Sequence, residues 1–132
     1  MPTHEEVKDW AEAYRVAWEQ ADSAGAAALF ADGATYRDNI YEEPHRGRES
    51  IVEYWSGVTS VQAKTTVRMG EPVVSGNRAD VEFWTTMDAG GSPITLAGCL
   101  LLDFDDSGKC TALREYWQVA EGTHQPPDGW GG

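Results

Sequence analysis

Two acidic side chains, Asp38 and Glu115, are the main candidates for proton-transfer chemistry. Asp38 ends residues 34–38, which have the character of a short strand. Glu115 stands between Leu113 and Trp117 in a later strand, so all three side chains point to the same face. Apolar surroundings make a carboxylate a stronger base, because burial disfavours its charged form. We therefore predict that the two acids form a pair, one acting as base and the other as acid.

Each acid also has a structural interpretation, which stays open at the level of sequence. Asp38 could simply end its strand and form hydrogen bonds with the following loop, residues 39–43. Glu115 is expected opposite Gly98, whose missing side chain leaves room, and could be a buried glutamate paired with a tyrosine, histidine or arginine. In both interpretations the acid needs a partner or changes its protonation.

Tyr14 is the third predicted catalytic residue, because a buried tyrosine hydroxyl must find a hydrogen-bond partner. It lies one helical turn from both Trp10 and Trp18 in a predicted helix over residues 4–20, where such a stripe is more often core packing. The residues predicted to hold a substrate are aromatic or apolar: Trp18, Tyr36, Trp55, Phe83, Leu100, Leu113 and Trp117.

Other reactive residue types are sparse. His45 lies in the predicted loop 39–47, where a structural role is more typical, although a histidine can shuttle protons. Cys99 and Cys110 occupy separate apolar stretches and fit reduced, buried thiols. No spaced Cys/His pair, phosphate-binding glycine loop or nucleophilic serine elbow is present. We therefore expect no metal site and no cofactor.

The elements that must position these residues are three N-terminal helices followed by strands. Helical spacing or composition predicts helices over 4–20, 23–30 and 48–55, and Thr3 with Glu6 forms a capping box. After residues 34–38, further strands are expected over the ranges 61–74, 78–88, 93–104 and 110–120, separated by strong turn signals. This order predicts an α+β fold with the helices against one face of an antiparallel sheet.

The turn positions also predict how the strands pair. Phe83 should face Gly98, Val81 should face Leu100, and Leu100 should face Leu113. Alternation then gives one face that is apolar enough to meet the helices.

The other sheet face carries Trp84, Leu101 and Tyr116, and we predict that it forms a homodimer interface. The domain is expected to span residues 1–121. An irregular Gly/Pro-rich tail follows over residues 122–132, and its Trp130 should dock on the outside of the domain or help to close the pocket.

The charge balance excludes several classes of partner. The 132 residues carry a net charge of −12, which repels nucleic acids and anionic membrane surfaces. No apolar run reaches the roughly 20 residues that span a bilayer, and the first residues lack the pattern of a signal peptide. We expect a soluble, cytoplasmic protein whose partner is a small apolar or aromatic molecule.

Two segments carry a resemblance to a known family. LFADGATYRD at 29–38 and PHRGRESIVEYW at 44–55 resemble the nuclear transport factor 2-like superfamily, which includes ketosteroid isomerases, SnoaL-like polyketide cyclases and scytalone dehydratases. The resemblance covers most of residues 4–120. It implies a cone-shaped, cystatin-like roll with a pocket at its open end. It also implies a cofactor-independent isomerase, dehydratase or cyclase, or alternatively a non-catalytic ligand-binding or dimerisation domain.

The nearest chemical comparison within the superfamily is with the ketosteroid isomerases. Asp38 falls where those enzymes have their base, and Tyr14 falls at their tyrosine oxyanion donor. The position of their second donor, a protonated aspartate, falls on Leu100. Because leucine cannot donate a hydrogen bond, steroid isomerisation by that full set of residues is not expected.

Overall fold

Three helices pack against one face of a curved, open sheet of seven strands in the computed structural model, which describes all 132 residues. The helices are α1 (His4–Glu19), α2 (Ser23–Ala27) and α3 (Gly47–Thr59). The strands are β1 (Phe30–Arg37), β2 (His45–Arg46), β3 (Gln62–Met69), β4 (Val73–Ser75), β5 (Arg78–Ala89), β6 (Ser92–Phe104) and β7 (Cys110–Glu121). Their order is β2-β1-β7-β6-β5-β3, with β4 also paired to β5. The α+β fold predicted from the sequence is confirmed.

One strand pair departs from the expected antiparallel sheet. Strand β1 runs parallel to β7, with Tyr36 opposite Leu113. No hairpin joins these strands, so no tight turn dictates their relative direction. The parallel pairing places Tyr36 beside Leu113. Since alternate residues share a face, the next residue of β7 on that face is Glu115, which therefore lies close to Tyr36.

Side-chain caps fix the first two helices. The Glu6 amide donates to Thr3 Oγ1 at 3.1 Å and the Thr3 amide donates to Glu6 Oε1 at 3.0 Å, which is the predicted capping box. Asp22 caps α2 by accepting a hydrogen bond from the Gly25 amide at 2.9 Å. Helix α2 ends earlier than predicted because Phe30 already belongs to β1.

Helix α3 is longer than the predicted 48–55. It begins at Gly47, whose φ of +81° favours glycine, and extends to Thr59. The Thr59 hydroxyl donates to the carbonyl oxygen of Trp55 at 2.6 Å. This buried hydrogen bond lies within the last turn of the helix and satisfies the threonine hydroxyl. The loop predicted over 39–47 also contains a strand, β2, whose two residues pair with β1.

The predicted strand 61–74 is two strands. Pro72 has no amide hydrogen to donate and interrupts the ladder between β3 and β4. The amide of the preceding Glu71 donates instead to the carbonyl oxygen of Gly131 at 2.7 Å. The break therefore leaves a backbone donor for the C-terminal tail.

The predicted β5–β6 register is confirmed. Phe83 lies opposite Gly98 and Val81 lies opposite Leu100. A Cβ atom at Gly98 would lie 2.9 Å from the Phe83 ring and 2.8 Å from the Cβ of Trp117. Glycine is needed here because two large residues meet over its backbone.

The predicted β6–β7 register is wrong by two residues. Leu100 lies opposite Glu115 instead of Leu113. One residue of this difference is a bulge between Asp103 and Phe104, where the ladder shifts, and the other lies in the turn, because Phe104 pairs with Cys110. An even shift leaves every side chain on its predicted face, so Glu115 still points inward.

The core lies between the helices and the concave sheet face, where 20 buried residues form one cluster. It combines α1 and α3 side chains such as Trp10 and Ile51 with sheet residues such as Leu102. No helix has the combined length and apolarity needed to cross a membrane.

The tail over residues 122–132 lies on the outer, convex face of the sheet. The Trp84 indole donates to the carbonyl oxygen of His124 at 2.9 Å. Trp130 packs edge-on against Trp84 with ring centroids 5.9 Å apart, and Arg68 lies 5.3 Å from the Trp130 ring centroid. Of the two positions expected for Trp130, the structure shows the outside of the domain.

This docking changes the surface on which a homodimer was predicted. Trp84 is partly covered by the tail, whereas Tyr116 on the same face is 48% exposed and Leu101 is half-buried. The homodimer stays a prediction, with a smaller surface than the sequence indicated.

The docked tail generates a prediction for stability. Trp130→Ala removes the aromatic pair with Trp84 and the cation–π contact with Arg68, and should lower the free energy of unfolding by about 1–2 kcal/mol. Urea denaturation followed by circular dichroism measures the change. Gln125→Ala, at an exposed tail position, is the matched control and should change little. Equal stability of the two variants would contradict the docking.

Candidate active site

A cavity of about 290 Å³ lies between the helices and the concave face of the sheet. This volume is near the lower end of the roughly 300–1,000 Å³ typical of small-molecule sites. Thirteen of its 17 lining residues are hydrophobic. The lining residues are Tyr14, Trp18, Tyr36, Asp38, Tyr54, Trp55, Val58, Thr59, Val61, Gln62, Phe83, Met87, Ala89, Ile94, Leu96, Glu115 and Trp117.

Three polar groups meet at one wall of this cavity. Tyr14 comes from α1, Tyr36 from β1 and Glu115 from β7. The two tyrosine hydroxyls are 2.9 Å apart, and Tyr14 lies 3.5 Å from Glu115 Oε1, which Tyr36 also contacts directly. Both phenol contacts fall on the same carboxylate oxygen, Oε1.

The surroundings of this cluster shift the protonation of all three groups. Burial raises the pKa of Glu115 to about 7, and the negative charge of Asp38 adds to the effect, while hydrogen bonds from Tyr36 and Tyr14 oppose it. The pKa values of both tyrosines lie well above their usual range, first because of burial and then because of the charge on Glu115. The phenols therefore stay protonated, and Glu115 is partly protonated at neutral pH.

Asp38 lies just after β1 and has a partner that the sequence did not identify. Its Oδ1 is 3.0 Å from His45 Nε2. His45 is held by the β-ladder, since it pairs with Tyr36, and its ring stacks on Tyr54 with centroids 4.5 Å apart. Asp38 therefore has a fixed side-chain orientation with a histidine behind it, and its main-chain oxygen accepts a hydrogen bond from the Trp117 indole at 2.9 Å.

Tyr54 joins the two groups of polar residues. Its ring lies 5.2 Å from Tyr36 and stacks on His45, and it lines the cavity. Its pKa is raised, mainly by burial and then by the charges of Glu115 and Asp38. Sequence reasoning missed Tyr54, although its place three residues after the buried Ile51 in a helix put it near the inward face.

The structure brings most of the predicted site residues together. All three predicted catalytic residues, Asp38, Tyr14 and Glu115, line the cavity. So do five of the predicted binding residues, Trp18, Tyr36, Trp55, Phe83 and Trp117.

Two predicted binding residues do not reach the cavity. Leu100 and Leu113 are fully buried in the core and are absent from the cavity wall. They share the inward face with Glu115, as predicted, but core side chains cover them completely. Residue alternation identified the face and could not identify which part of it stays open.

The site combines an apolar cavity with two acids that have different hydrogen-bond partners. Asp38 is hydrogen-bonded to a histidine, whereas Glu115 is hydrogen-bonded to phenols that cannot neutralise its charge. Such a site can accept a proton at one acid and donate hydrogen bonds from the other cluster. No three His, Cys, Asp or Glu side chains lie close enough together to ligate a metal ion.

The chain matches known proteins along most of its length. Residues 10–113 match the SnoaL-like domain family. A steroid Delta-isomerase from Nocardioides simplex is 30% identical over 112 residues, a match that covers 85% of this chain and 89% of that protein.

Solved structures share the fold at lower sequence identity. A protein from Catenulispora acidiphila with a ketosteroid isomerase-like fold, solved with trimethylamine, has a TM-score of 0.73 at 20% identity, over 81% of this chain and 83% of that one. SalBIII, an epoxide hydrolase/cyclase-like enzyme in pyran ring formation of salinomycin, has a TM-score of 0.80 at 16% identity, over 92% and 100%. RV0760c from Mycobacterium tuberculosis has a TM-score of 0.77 at 17% identity, with the same coverage. The chain therefore belongs to the SnoaL-like domain family, within the nuclear transport factor 2-like superfamily.

Proposed function

We propose that this protein is a cofactor-independent enzyme that transfers a proton on a small, apolar, carbonyl-bearing substrate. The observation that carries the proposal is the pairing of two acids in one apolar cavity. The half-buried Glu115 is hydrogen-bonded to two phenols, and Asp38 is held by His45. Structural carboxylates are more often paired with a cation or solvated, whereas separated acid and base roles are typical of active sites.

The roles of the residues follow from their positions. Asp38 accepts a proton from a carbon next to the substrate carbonyl, and the released electron pair moves onto the carbonyl oxygen. Hydrogen bonds from the Tyr14, Tyr36 and Glu115 cluster stabilise the charge that develops on this oxygen. Return of the proton to a different carbon completes an isomerisation. Transfer of the same proton to a hydroxyl group that leaves as water completes a dehydration. The apolar walls hold the carbon skeleton and exclude water.

Glu115 also changes the comparison with the ketosteroid isomerases. The resemblance placed their second donor on Leu100, which is buried in the core. Directly across the ladder from Leu100 lies Glu115, which brings a carboxyl group to the same cluster as Tyr14. A carboxylic acid donor is thus available from the neighbouring strand. The 30% identity to a steroid Delta-isomerase supports isomerase chemistry for this site.

The alternative is a non-catalytic domain that binds a ligand in the same cavity. The mainly hydrophobic lining alone would serve such a domain as well as an enzyme. The fixed Asp38–His45 pair favours catalysis, because a binding pocket for an apolar ligand gains nothing from a half-buried carboxylate in its wall.

A homodimer through the outer sheet face is a separate proposal. Tyr116, at 48% exposure, and the neighbouring Leu101 support it, while Trp84 is occupied by the tail. Sedimentation velocity at micromolar concentration tests it, and a monomer would remove it.

Asp38→Asn should slow proton transfer strongly and preserve binding. The probe is phenylacetone, whose hydrogens next to the carbonyl exchange with D2O when a base removes them. We expect the protein-catalysed exchange rate, measured by proton NMR, to fall by about 10²-fold or more, because asparagine cannot accept the proton. The dissociation constant for the ketone should stay within about threefold.

Asp9→Asn is the matched control, since Asp9 is exposed on α1 and does not line the cavity. It should exchange phenylacetone at the wild-type rate. A wild-type protein that binds phenylacetone without any exchange would support the binding-domain alternative. Full exchange by Asp38→Asn would show that another residue is the base.

Glu115 should make stability fall as pH rises. Its pKa is raised to about 7 in the folded protein from an ordinary value of 4.5, so its contribution is complete below about pH 4.5 and is lost as pH rises through 7. Relative to Glu115→Gln, which stays neutral, the wild type should lose on the order of 2 kcal/mol between pH 5 and 8. Urea denaturation of both proteins across this range measures the difference, and parallel pH profiles would contradict it.

His45 should act through Asp38 and not through substrate binding. His45→Phe keeps a ring to stack on Tyr54 but removes the hydrogen bond to Asp38. We expect the exchange rate at saturating phenylacetone to fall by about tenfold with little change in the dissociation constant. His45→Gln, which keeps a hydrogen-bond donor, should recover part of the rate. If both variants lose binding and rate in parallel, His45 has only a structural role.

A further inference from the structure

We infer that the site has a second compartment and that its ligand is an uncharged, elongated molecule with an apolar group on each side of the reacting centre. The second compartment is a cavity of about 240 Å³ beside the loop after Asp38. We refer to it as the outer cavity and to the 290 Å³ cavity as the inner cavity. This inference rests on the proposed function and adds the shape and chemistry of the substrate.

The two cavities meet at the residues with the chemistry. Asp38, Glu115 and Trp117 belong to the walls of both. The indole of Trp117 donates to the main-chain oxygen of Asp38 at 2.9 Å, which ties β7 to the end of β1 at this boundary. Both acids thus border two cavities. A substrate that reacts at this boundary has room for a substituent on either side.

The outer cavity is surrounded by large apolar side chains that the fold leaves exposed. Ile40, Tyr41, Tyr116 and Trp117 line it, and their exposed fractions are 41%, 95%, 48% and 44%. Four such residues around one concavity form a patch of the kind that usually marks a binding site. An aromatic or aliphatic group placed there would cover surface that otherwise stays in water.

The loop that carries Ile40 and Tyr41 is fixed by its own hydrogen bonds. The Tyr41 amide donates to Asn39 Oδ1 at 3.0 Å, and the Glu42 amide donates to the Asn39 carbonyl oxygen at 3.1 Å. Arg37 donates to the Glu42 carbonyl oxygen at 2.5 Å. These bonds hold a tight turn in which Tyr41 points outward, so a ligand would meet a preformed surface.

The exposed end of the inner cavity and the charge of the protein indicate the shape and the charge of the ligand. The inner cavity has its own exposed end at Val58 and Val61, with exposed fractions of 44% and 57%. An apolar group can therefore extend from the acids in either direction. An anionic ligand would be repelled by Asp38 and Glu115 and by the net charge of −12. A cationic ligand would lose its hydration shell in an inner cavity whose lining is mainly hydrophobic, so an uncharged ligand fits the two cavities best.

Two ketones test the outer compartment. Dibenzyl ketone has an aromatic ring on each side of its carbonyl, whereas phenylacetone has a ring on one side only. Isothermal titration calorimetry should show that the wild type binds dibenzyl ketone at least tenfold more tightly. Tyr41→Ala should lower the affinity for dibenzyl ketone by about tenfold more than the affinity for phenylacetone, since only the longer molecule reaches both cavities. Ile40→Ala should cause a smaller loss with the same selectivity.

Val73→Ala is the matched control, because Val73 is exposed on β4 and lines neither cavity. It should leave both affinities unchanged. Equal affinity of the wild type for the two ketones, or a loss in Tyr41→Ala that both ketones share equally, overturns the inference. A wild-type dimer that Tyr41→Ala dissociates in sedimentation experiments would assign the patch to a second copy of the chain and also overturn it.

The same ketones separate this inference from the proposed function. Hydrogen exchange reports on Asp38, and selective binding reports on the outer cavity. Selective binding without exchange would remove the proton-transfer proposal and keep the outer compartment. Exchange of both ketones without selective binding would do the reverse.

Discussion

The burial of one carboxyl group against two phenols is the constraint on which the site depends. Glu115 meets Tyr14 and Tyr36, and these residues come from β7, α1 and β1, three elements far apart in the sequence. None of the three is a cation, so the cluster does not neutralise the acid and its proton is retained more strongly. This polar contact within an apolar core thus joins helix α1 to the internal strand β7 and to β1, which lies near the sheet edge. The fold positions this group without removing its reactivity.

The parallel pairing of β1 with β7 makes that contact possible. It brings Tyr36 and Asp38, two alternate positions of one segment, alongside the inward residues of β7. The two-residue strand β2 then adds His45 on the far side of β1. A chain of polar groups therefore crosses the sheet edge from Glu115 to His45. Most of the surrounding sheet is a simple antiparallel meander whose inner face supplies apolar walls.

The sequence predicted the fold and most of the site because local signals agree with each other. Helical spacing in α1, the capping box at Thr3 and the turns between the later strands all indicate the same architecture. The faces of β6 and β7 were predicted although their register was wrong by two. The Asp38–His45 contact could not be predicted, since it depends on a two-residue strand too short to leave a periodic pattern. Leu100 and Leu113 show the other limit, because alternation does not tell an open part of a concave face from a filled one.

The bulge between Asp103 and Phe104 has a consequence for how sequences of this kind can diverge. Because sheet faces alternate with a period of two, insertions or deletions of two residues in the β6–β7 connection keep Glu115 inside. A change of one residue that slips the pairing of β7 with β6 would turn Glu115 outward and place Tyr116 or Arg114 against the helices. Length variation among relatives should therefore be tolerated in even steps at this connection. Odd steps need a compensating bulge elsewhere in the same pair of strands.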